Sequence, residues 1–245
     1  MIAIILAAGY GTRLYPLTQN TPKALLPLGG STILGLLEKK LVEPEVGIRQ
    51  AILVSNHRFA EQFRAWAERP GHPIRWSVLD DGSTSEENRL GSMGDLAFAI
   101  KQEKVEEDLL VLGSDNLFEE SLTRFMESTR EKKAVTLGAY ELPEIKLASQ
   151  YGVLSVDRRG RITRFEEKPP RPESALVSMA IYFFPRKTVG VVLEYVSSQT
   201  ATDKLGSFIS WLVAREPVYA VRFRGNWFDI GDIASYKRAQ ETFRS

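Results

Sequence analysis

The sequence predicts an α/β protein built on a doubly wound, mostly parallel sheet. Three observations lead to this class. The strand-like apolar runs are continuous rather than alternating, amphipathic stretches separate them, and a glycine-rich loop follows the first run directly. Continuous apolar strands are typical of a parallel sheet that is covered by helices on both faces. The loop then stands where such sheets bind ligands, beyond the carboxyl end of a strand.

The first half of the chain supplies the strands of this sheet. They are predicted over residues 2–7, 50–55, 74–79, 108–113 and 134–140. A helix is expected over 31–43, where Ser31 is the candidate N-cap. Another is expected over 58–69, because Phe59, Phe63 and Trp66 recur there at helical spacing.

The pattern changes after about residue 150. Two extended runs flank Gly160, and an apolar run over 175–185 follows them, which predicts a small mixed β-rich region. The chain then returns to a helix, a strand and the turn "GNWFDIGD", before a last helix that begins at Asp232. We expect one domain over residues 1–245, with about 1–150 and about 151–232 as its two parts.

Composition limits the classes of partner. The 245 residues include 32 basic and 31 acidic side chains, so no overall field attracts nucleic acid or a membrane surface. Cysteine is absent, which excludes disulfides and thiolate metal sites. The apolar start is too short to span a membrane. We expect a cytoplasmic protein, monomeric or homo-oligomeric, whose partners are small molecules.

The glycine loop reads "AAGYGTR" and continues for about twenty residues stiffened by prolines. Gly9 and Gly11 allow backbone conformations that direct successive N–H groups at phosphate oxygens. A dinucleotide fingerprint would need glycine where Leu14 stands, and a Walker loop would need the string G-K-[ST], so both are excluded. On the glycines alone, a tight structural turn remains the simpler alternative.

The longer string "LAAGYGTRLYPLTQNTPKALLPL" resembles the signature of the sugar-1-phosphate nucleotidyltransferases, or NDP-sugar pyrophosphorylases. The resemblance implies a Rossmann-like nucleotide-diphospho-sugar transferase fold, with Arg13 and Lys23 on the phosphates of a nucleoside triphosphate (NTP). The nucleotide-binding residues that the resemblance implies are Leu6, Ala8, Gly9, Gly11, Thr12, Arg13 and Lys23.

Two aspartates follow strands at separate places in the chain. Asp115 stands in "LGSDNLF" and Asp229 in "WFDIGD". Each has a structural alternative, as a helix cap or as a turn residue. Both strings resemble the family's metal-binding elements, which implies that Asp115 and Asp229 hold Mg²⁺, an ion that prefers carboxylate oxygens. Ser114, between the glycine and the aspartate, departs from the family pattern.

Further strings resemble the acceptor and base sites of the family. "FEEKPPRP" is similar to its E-K-P motif, which implies that Lys168 contacts the phosphate of the sugar 1-phosphate and Glu167 a sugar hydroxyl. "YGV" is similar to its sugar-side Tyr-Gly pair, which adds Tyr151 and Gly152 to the sugar-binding candidates. "LGSMGDL" lies in the segment where the family reads the base. Asp81 and Gly91 are the candidates there.

Together the resemblance implies a Mg²⁺-dependent enzyme that joins an NTP and a sugar 1-phosphate and releases pyrophosphate. dTTP or UTP and glucose 1-phosphate are favoured, since the pattern is most like the glucose-1-phosphate thymidylyltransferases. The catalytic candidates are Arg13, Lys23, Asp115, Lys168 and Asp229. Two alternatives stay open: a cytidylyltransferase for a non-sugar phosphate, such as phosphocholine or inositol phosphate, and a non-catalytic nucleotide-sensing homologue.

Overall fold

The computed structural model describes residues 1–198 and 204–243. Its strands are β1 Ile2–Leu6, β2 Pro27–Leu28, β3 Ser31–Thr32, β4 Gln50–Ser55, β5 Arg75–Asp80, β6 Leu109–Gly113, β7 Asn116–Phe118, β8 Val135–Glu141, β9 Gly152–Val156, β10 Ile162–Glu167, β11 Leu176–Phe184, β12 Val218–Arg222 and β13 Trp227–Asp229. Its α-helices are α1 Ile33–Leu41, α2 Ala60–Ala67, α3 Gly91–Gln102, α4 Leu122–Lys132, α5 Arg186–Ser198, α6 Leu205–Val213 and α7 Ile233–Thr242.

Nine strands of the described residues form one central sheet. Its main path runs β10-β9-β11-β6-β1-β4-β5, with β8 beside β11 and β12 beside β8. β1 pairs in parallel with β4 and β6, and β4 with β5. β11 is antiparallel to β6, β8 and β9, so it joins the parallel part to the mixed β-rich region. The predicted fold class is confirmed, and the β-rich region is continuous with the sheet.

Helices cover both faces of this sheet. On one face Ile4 and Val111 pack in a core with side chains of α3, α5 and α6. On the other, Ile5 and Leu110 pack with side chains of α1, α2 and α4. Successive residues of β1 therefore enter opposite cores, and this explains why the strand is a continuous apolar run.

The carboxyl ends of the parallel strands β1, β4, β5 and β6 meet at one edge of the sheet. Above this edge β7 and β13 form a separate antiparallel pair. A small core that includes Leu14, Leu26, Ile230 and Tyr236 fastens the segment after β1 to β13 and α7. The glycine loop is thus held against the part of the chain that contains Asp229.

Two predicted helix caps have different outcomes. Asp232 caps α7, because its side chain accepts a hydrogen bond from the Ser235 amide at 2.7 Å. The prediction that Ser31 caps α1 is wrong. Thr32 is the cap and accepts from the Gly35 amide at 3.0 Å, while Ser31 belongs to the short strand β3.

No helix within residues 1–198 and 204–243 combines the length and the apolar character that crossing a membrane requires.

Candidate active site

The glycine loop leaves β1 and is fastened at two points. The Thr18 hydroxyl donates to the Gly11 carbonyl at 2.7 Å, and the Tyr10 hydroxyl donates to the Ser83 carbonyl at 3.0 Å. Gly11 has a φ of 64°, a left-handed conformation that strains other residues. Gly9 does not have a positive φ, so the prediction that its backbone conformation requires glycine is wrong. A side chain there would project into open space, where a ligand can approach the backbone.

Two short 3₁₀ turns, Thr12–Leu14 and Lys23–Leu25, set the directions of the loop's cations. Leu14 and Ala24 are buried beside them, so Arg13 stays exposed. Lys23 reaches the carboxyl end of β6, where its Nζ lies 2.5 Å from Oδ2 of Asp115. The structure therefore joins the first signature string to the predicted metal-binding aspartate.

Asp115 and Asp229 are brought together by the pairing of β7 with β13. Asn116 is the register partner of Asp229, and the Ile230 amide donates to the Asp115 carbonyl at 3.0 Å. The side chain of Asn116 stabilises this pairing through two hydrogen bonds. Its amide donates to the Met179 carbonyl, and its Oδ1 accepts from Trp227 Nε1 at 2.5 Å. Asn116 is a positioning residue, to which the string "LGSDNLF" had assigned no role.

Electrostatics connect Asp229 to all the other predicted catalytic residues. Burial and the nearby Asp115 carboxylate raise the pKa of Asp229 to about 6, against the opposing influence of Lys23, Arg13 and Lys168. Burial, followed by the charges of Asp229 and Asp115, raises the pKa of Tyr151 to about 12. At Asp229, burial and the Asp115 carboxylate together outweigh the surrounding cations. The two carboxylates supply hard oxygen donors, which fit Mg²⁺.

A cavity of about 310 Å³ lies beside this pair. Of the predicted site residues, it is lined by Leu6, Tyr151, Gly152, Glu167, Lys168 and Asp229. Sequence reasoning missed further lining residues: Ser92, which stands in the string "LGSMGDL", and Ser178, Ala180, Tyr182, Lys204 and Gly206, which lie outside the motif strings. The structure therefore groups the acceptor-side candidates around one space that ends at Asp229.

Lys168 and Glu167 are held at the rim of this cavity by backbone geometry. Lys168 has a φ of 49°, and its amide donates to the Tyr151 carbonyl at 3.0 Å. A left-handed lysine costs free energy, and such strain is concentrated at functional sites. Burial raises the pKa of the Glu167 carboxyl, and Lys168 and Lys204 oppose that shift. Glu167 rests against the start of α6, where a Cβ on Gly206 would lie 2.0 Å from its Oε2.

Gly152 has a packing role that its motif did not reveal. A Cβ at this position would lie 2.4 Å from Cζ of Phe165. The glycine therefore lets β9 and β10 close on each other at the cavity wall. Contact between Gly152 and the sugar stays a prediction.

The family model for nucleotidyl transferases matches residues 2–245. The chain belongs to this family. The resemblance read from the sequence is thereby confirmed, since the match spans the glycine loop, both aspartates and the E-K-P string.

Curated relatives and solved structures of this nucleotidyltransferase agree with the assignment. The bifunctional protein GlmU of Methanocaldococcus jannaschii is 29% identical over 231 residues, and that of Methanococcus aeolicus is 28% identical over 231 residues. Each alignment covers 94% of this chain and 51% of the relative. The chain thus spans about half the length of the curated relatives it matches.

The solved structures show the same fold. A UDP-glucose pyrophosphorylase from Acinetobacter baumanii matches with a TM-score of 0.82 at 22% identity, covering 99% of this chain and 93% of the other. A UDP-glucose pyrophosphorylase complexed with UDP-glucose matches with a TM-score of 0.84 at 17% identity, covering 99% and 97%. At these identities the likeness concerns the fold alone.

The two predicted base-reading residues of the nucleotidyltransferase do not line the 310 Å³ cavity, although Gly91 directly precedes Ser92, which does. Asp81 follows β5, and Gly91 opens α3 with a φ of 73°. Asp81 accepts hydrogen bonds from the amide and hydroxyl of Ser83, the residue whose carbonyl anchors Tyr10. The segment is therefore coupled to the glycine loop, and base contact remains a prediction.

Asp95 of α3 faces Asp81 in a buried carboxyl pair. Asp95 is 5% exposed, and one carboxyl oxygen of each residue is buried with no other hydrogen-bond partner among the described residues. Burial and the adjacent Asp81 carboxylate raise the pKa of Asp95 to about 8. Asp95 is therefore protonated near neutral pH.

Replacement Asp95→Asn is expected to stabilise the fold at alkaline pH by about 2 kcal/mol. The raised pKa means that the folded state binds more protons than the unfolded state between about pH 4 and pH 8, so wild-type stability falls as pH rises through this window. Asparagine keeps a donor toward Asp81 and does not titrate. Urea unfolding at pH 5 and pH 8 measures this, with exposed Asp108→Asn as control. A variant that loses as much stability between the two pH values as wild type would contradict the raised pKa of Asp95.

Proposed function

We propose that the chain transfers a nucleotidyl group from an NTP to a sugar 1-phosphate and releases pyrophosphate. dTTP or UTP is the favoured donor and glucose 1-phosphate the favoured acceptor. The observation that carries the proposal is the position of Asp229. It stands between the cations of the glycine loop and the cavity that Glu167 and Lys168 line, and it is electrostatically coupled to both sides.

The chemistry requires no general base. The phosphate of a sugar 1-phosphate is already ionised at neutral pH, so its oxygen attacks the α-phosphorus directly. Catalysis then consists of alignment and of charge stabilisation. Lys168 holds the acceptor phosphate beside Asp229, while Arg13 and Lys23 stabilise the negative charge on the departing pyrophosphate.

Asp115 and Asp229 would hold the Mg²⁺ ion. The ion, when bound, neutralises phosphate charge and orients the reacting groups. The contribution of the protein is to keep two carboxylates together against their repulsion. The β7–β13 pairing and the Lys23–Asp115 contact do so.

The two parts of the domain then divide the substrates. Residues up to about 150 bind the nucleotide through Leu6, Ala8, Gly9, Gly11, Thr12, Arg13 and Lys23, with Asp81 and Gly91 toward the base. Residues from about 151 to 232 bind the sugar phosphate and supply Asp229. The Tyr151 hydroxyl stays protonated because of its raised pKa, so it is available to donate a hydrogen bond.

A pyrophosphate-release panel tests this function. The five common NTPs are each incubated with a set of sugar 1-phosphates, with phosphocholine and with inositol phosphate, in the presence of Mg²⁺. We expect pyrophosphate and an NDP-sugar with dTTP or UTP and glucose 1-phosphate. Turnover only with a non-sugar phosphate would refute the sugar assignment, and nucleotide binding without any turnover would indicate a sensor.

Lys168→Met is expected to lower kcat/KM for the sugar 1-phosphate by about ten- to a hundredfold. It removes one charge-assisted contact, worth about 1.5–3 kcal/mol, and keeps the aliphatic stem. Binding of the NTP alone should change little. Steady-state kinetics with each substrate varied in turn, together with a titration of NTP, measure both effects.

Arg171→Met is a matched control for this variant, because Arg171 is exposed three positions further on and does not line the cavity. We expect it to behave as wild type. If Lys168→Met instead weakens NTP binding and leaves the acceptor kinetics unchanged, Lys168 does not belong to the sugar-phosphate site.

A further inference from the structure

A second cavity, of about 410 Å³, lies on the other side of Asp229. It shares Gln150, Tyr151 and Asp229 with the acceptor-side cavity, so these residues form the partition between two halves of one cleft. Its further walls include Arg13 of the glycine loop and Arg238 of α7. Arg238 belongs to none of the motifs read from the sequence.

The second cavity is lined by the guanidiniums of Arg13 and Arg238 and by the carboxylates of Asp229 and Asp232. Within residues 1–198 and 204–243, neither guanidinium makes an ion pair or a side-chain hydrogen bond. Arg238 acts on Tyr151 and Asp232 only through the longer-range electrostatic field. Gly231 leaves the room that Arg13 occupies, since a Cβ there would lie 3.3 Å from its Nη2. Two unpaired guanidiniums facing one cavity fit a multiply charged anion.

The proposed reaction indicates which anion this is. In a displacement at phosphorus, the attacking and leaving oxygens lie roughly on opposite sides of the phosphorus atom. The acceptor cavity is on one side of Asp229, beside which the α-phosphate is proposed to lie. The leaving group then departs toward the other side, where Arg13 and Arg238 stand.

We propose that Arg238 is a binding residue for the terminal phosphates of the NTP and for the pyrophosphate that leaves. The inference rests on the proposed function for the identity of the anion. It extends the phosphate site from the glycine loop to the last helix, α7, which the small core of Leu14, Ile230 and Tyr236 holds against that loop.

The test compares Arg238→Met and Arg238→Lys with Lys237→Met. Lys237 is the neighbouring exposed cation on α7 and does not line the cavity. Calorimetric titration with inorganic pyrophosphate in the presence of Mg²⁺ is the first readout, and inhibition of NDP-sugar formation by added pyrophosphate is the second. Thermal unfolding checks that each variant is folded.

We expect Arg238→Met to raise the Kd for pyrophosphate about ten- to a hundredfold. The concentration of pyrophosphate that inhibits NDP-sugar formation should rise by the same factor, while KM for the sugar phosphate changes less than twofold. The pyrophosphate affinity of Arg238→Lys should lie between those of wild type and Arg238→Met, because lysine keeps the positive charge but cannot form the paired hydrogen bonds of a guanidinium. Lys237→Met should match wild type.

Other outcomes separate this inference from the function on which it rests. Wild-type pyrophosphate affinity in Arg238→Met, with normal NDP-sugar synthesis, would overturn the inference and leave the function standing. If wild type forms no NDP-sugar but binds pyrophosphate through Arg238, the anion site stands and the function fails. If wild type does not bind pyrophosphate at all, the inference is wrong.

Discussion

Asp115→Asn and Asp229→Asn are each expected to lower kcat by at least about a hundredfold, with little change in the free energy of unfolding. Asparagine keeps the shape of the side chain and removes the charge that a divalent cation requires. Removal of the Asp229 charge even favours the folded state of Asp229→Asn, since burial and Asp115 raise the pKa of Asp229 to about 6. Asp115→Asn loses the charge of its contact with Lys23. Steady-state kinetics at saturating substrates and urea unfolding provide the measurements.

The double variant distinguishes a shared ion from two separate roles. If both aspartates act through one Mg²⁺, either change disables the site, so the double variant should lose little more than the worse single one. Losses that multiply in full would contradict a shared ion. Asp108→Asn is the matched control, because Asp108 is an exposed aspartate just before the opposite end of β6. It should retain wild-type turnover.

Gly11→Val is expected to raise the Kd for the NTP at least about a hundredfold. The φ of 64° at Gly11 is strained for valine, and a Cβ there already touches the Thr18 side chain at 3.4 Å. The loop backbone that is proposed to surround the phosphates must therefore move. The expected loss of stability is about 1–3 kcal/mol. Titration of the NTP without acceptor measures the affinity.

Gly71→Val separates the loss of the loop from general backbone strain. Gly71 also has a positive φ, 99°, and a Cβ there meets no atom within 4 Å. It lies in a turn between α2 and β5, away from the glycine loop. We expect a comparable strain cost with normal NTP affinity. A folded Gly11→Val protein that binds the NTP as wild type does would remove the loop from the triphosphate site.

The sequence was sufficient for features that depend on a continuous pattern. The apolar runs located the central strands to within one or two residues, because strands buried on both faces tolerate few polar side chains. Phe59, Phe63 and Trp66 share one core, as their helical spacing predicted. Asp115 and Asp229 came from motif strings, and the structure places them in one site.

The features that were missed depend on contacts between distant segments. Asn116 positions Asp229 by pairing across 113 positions of sequence, so its role is not evident from the string "LGSDNLF" in which it stands. His72 is mostly buried, 2.8 Å from Glu38 and 2.9 Å from the Trp66 carbonyl, and these contacts also join separate segments of the chain. Asp95 and Arg238 likewise gain their environments only when α3 and α7 fold onto the sheet.

The central claim is that an acceptor phosphate attacks the α-phosphorus of the NTP. Its most direct test follows the phosphorus atoms of dTTP or UTP, labelled with ³²P at the α position or at the β position, in reactions with glucose 1-phosphate and Mg²⁺. The account predicts that the α label appears in the NDP-sugar and the β label in pyrophosphate, and that neither forms without the sugar phosphate. Retention of the β label in a nucleoside diphosphate, with the γ-phosphoryl group transferred to the sugar phosphate or released as unlabelled orthophosphate, would place the attack at the γ-phosphorus and contradict the account.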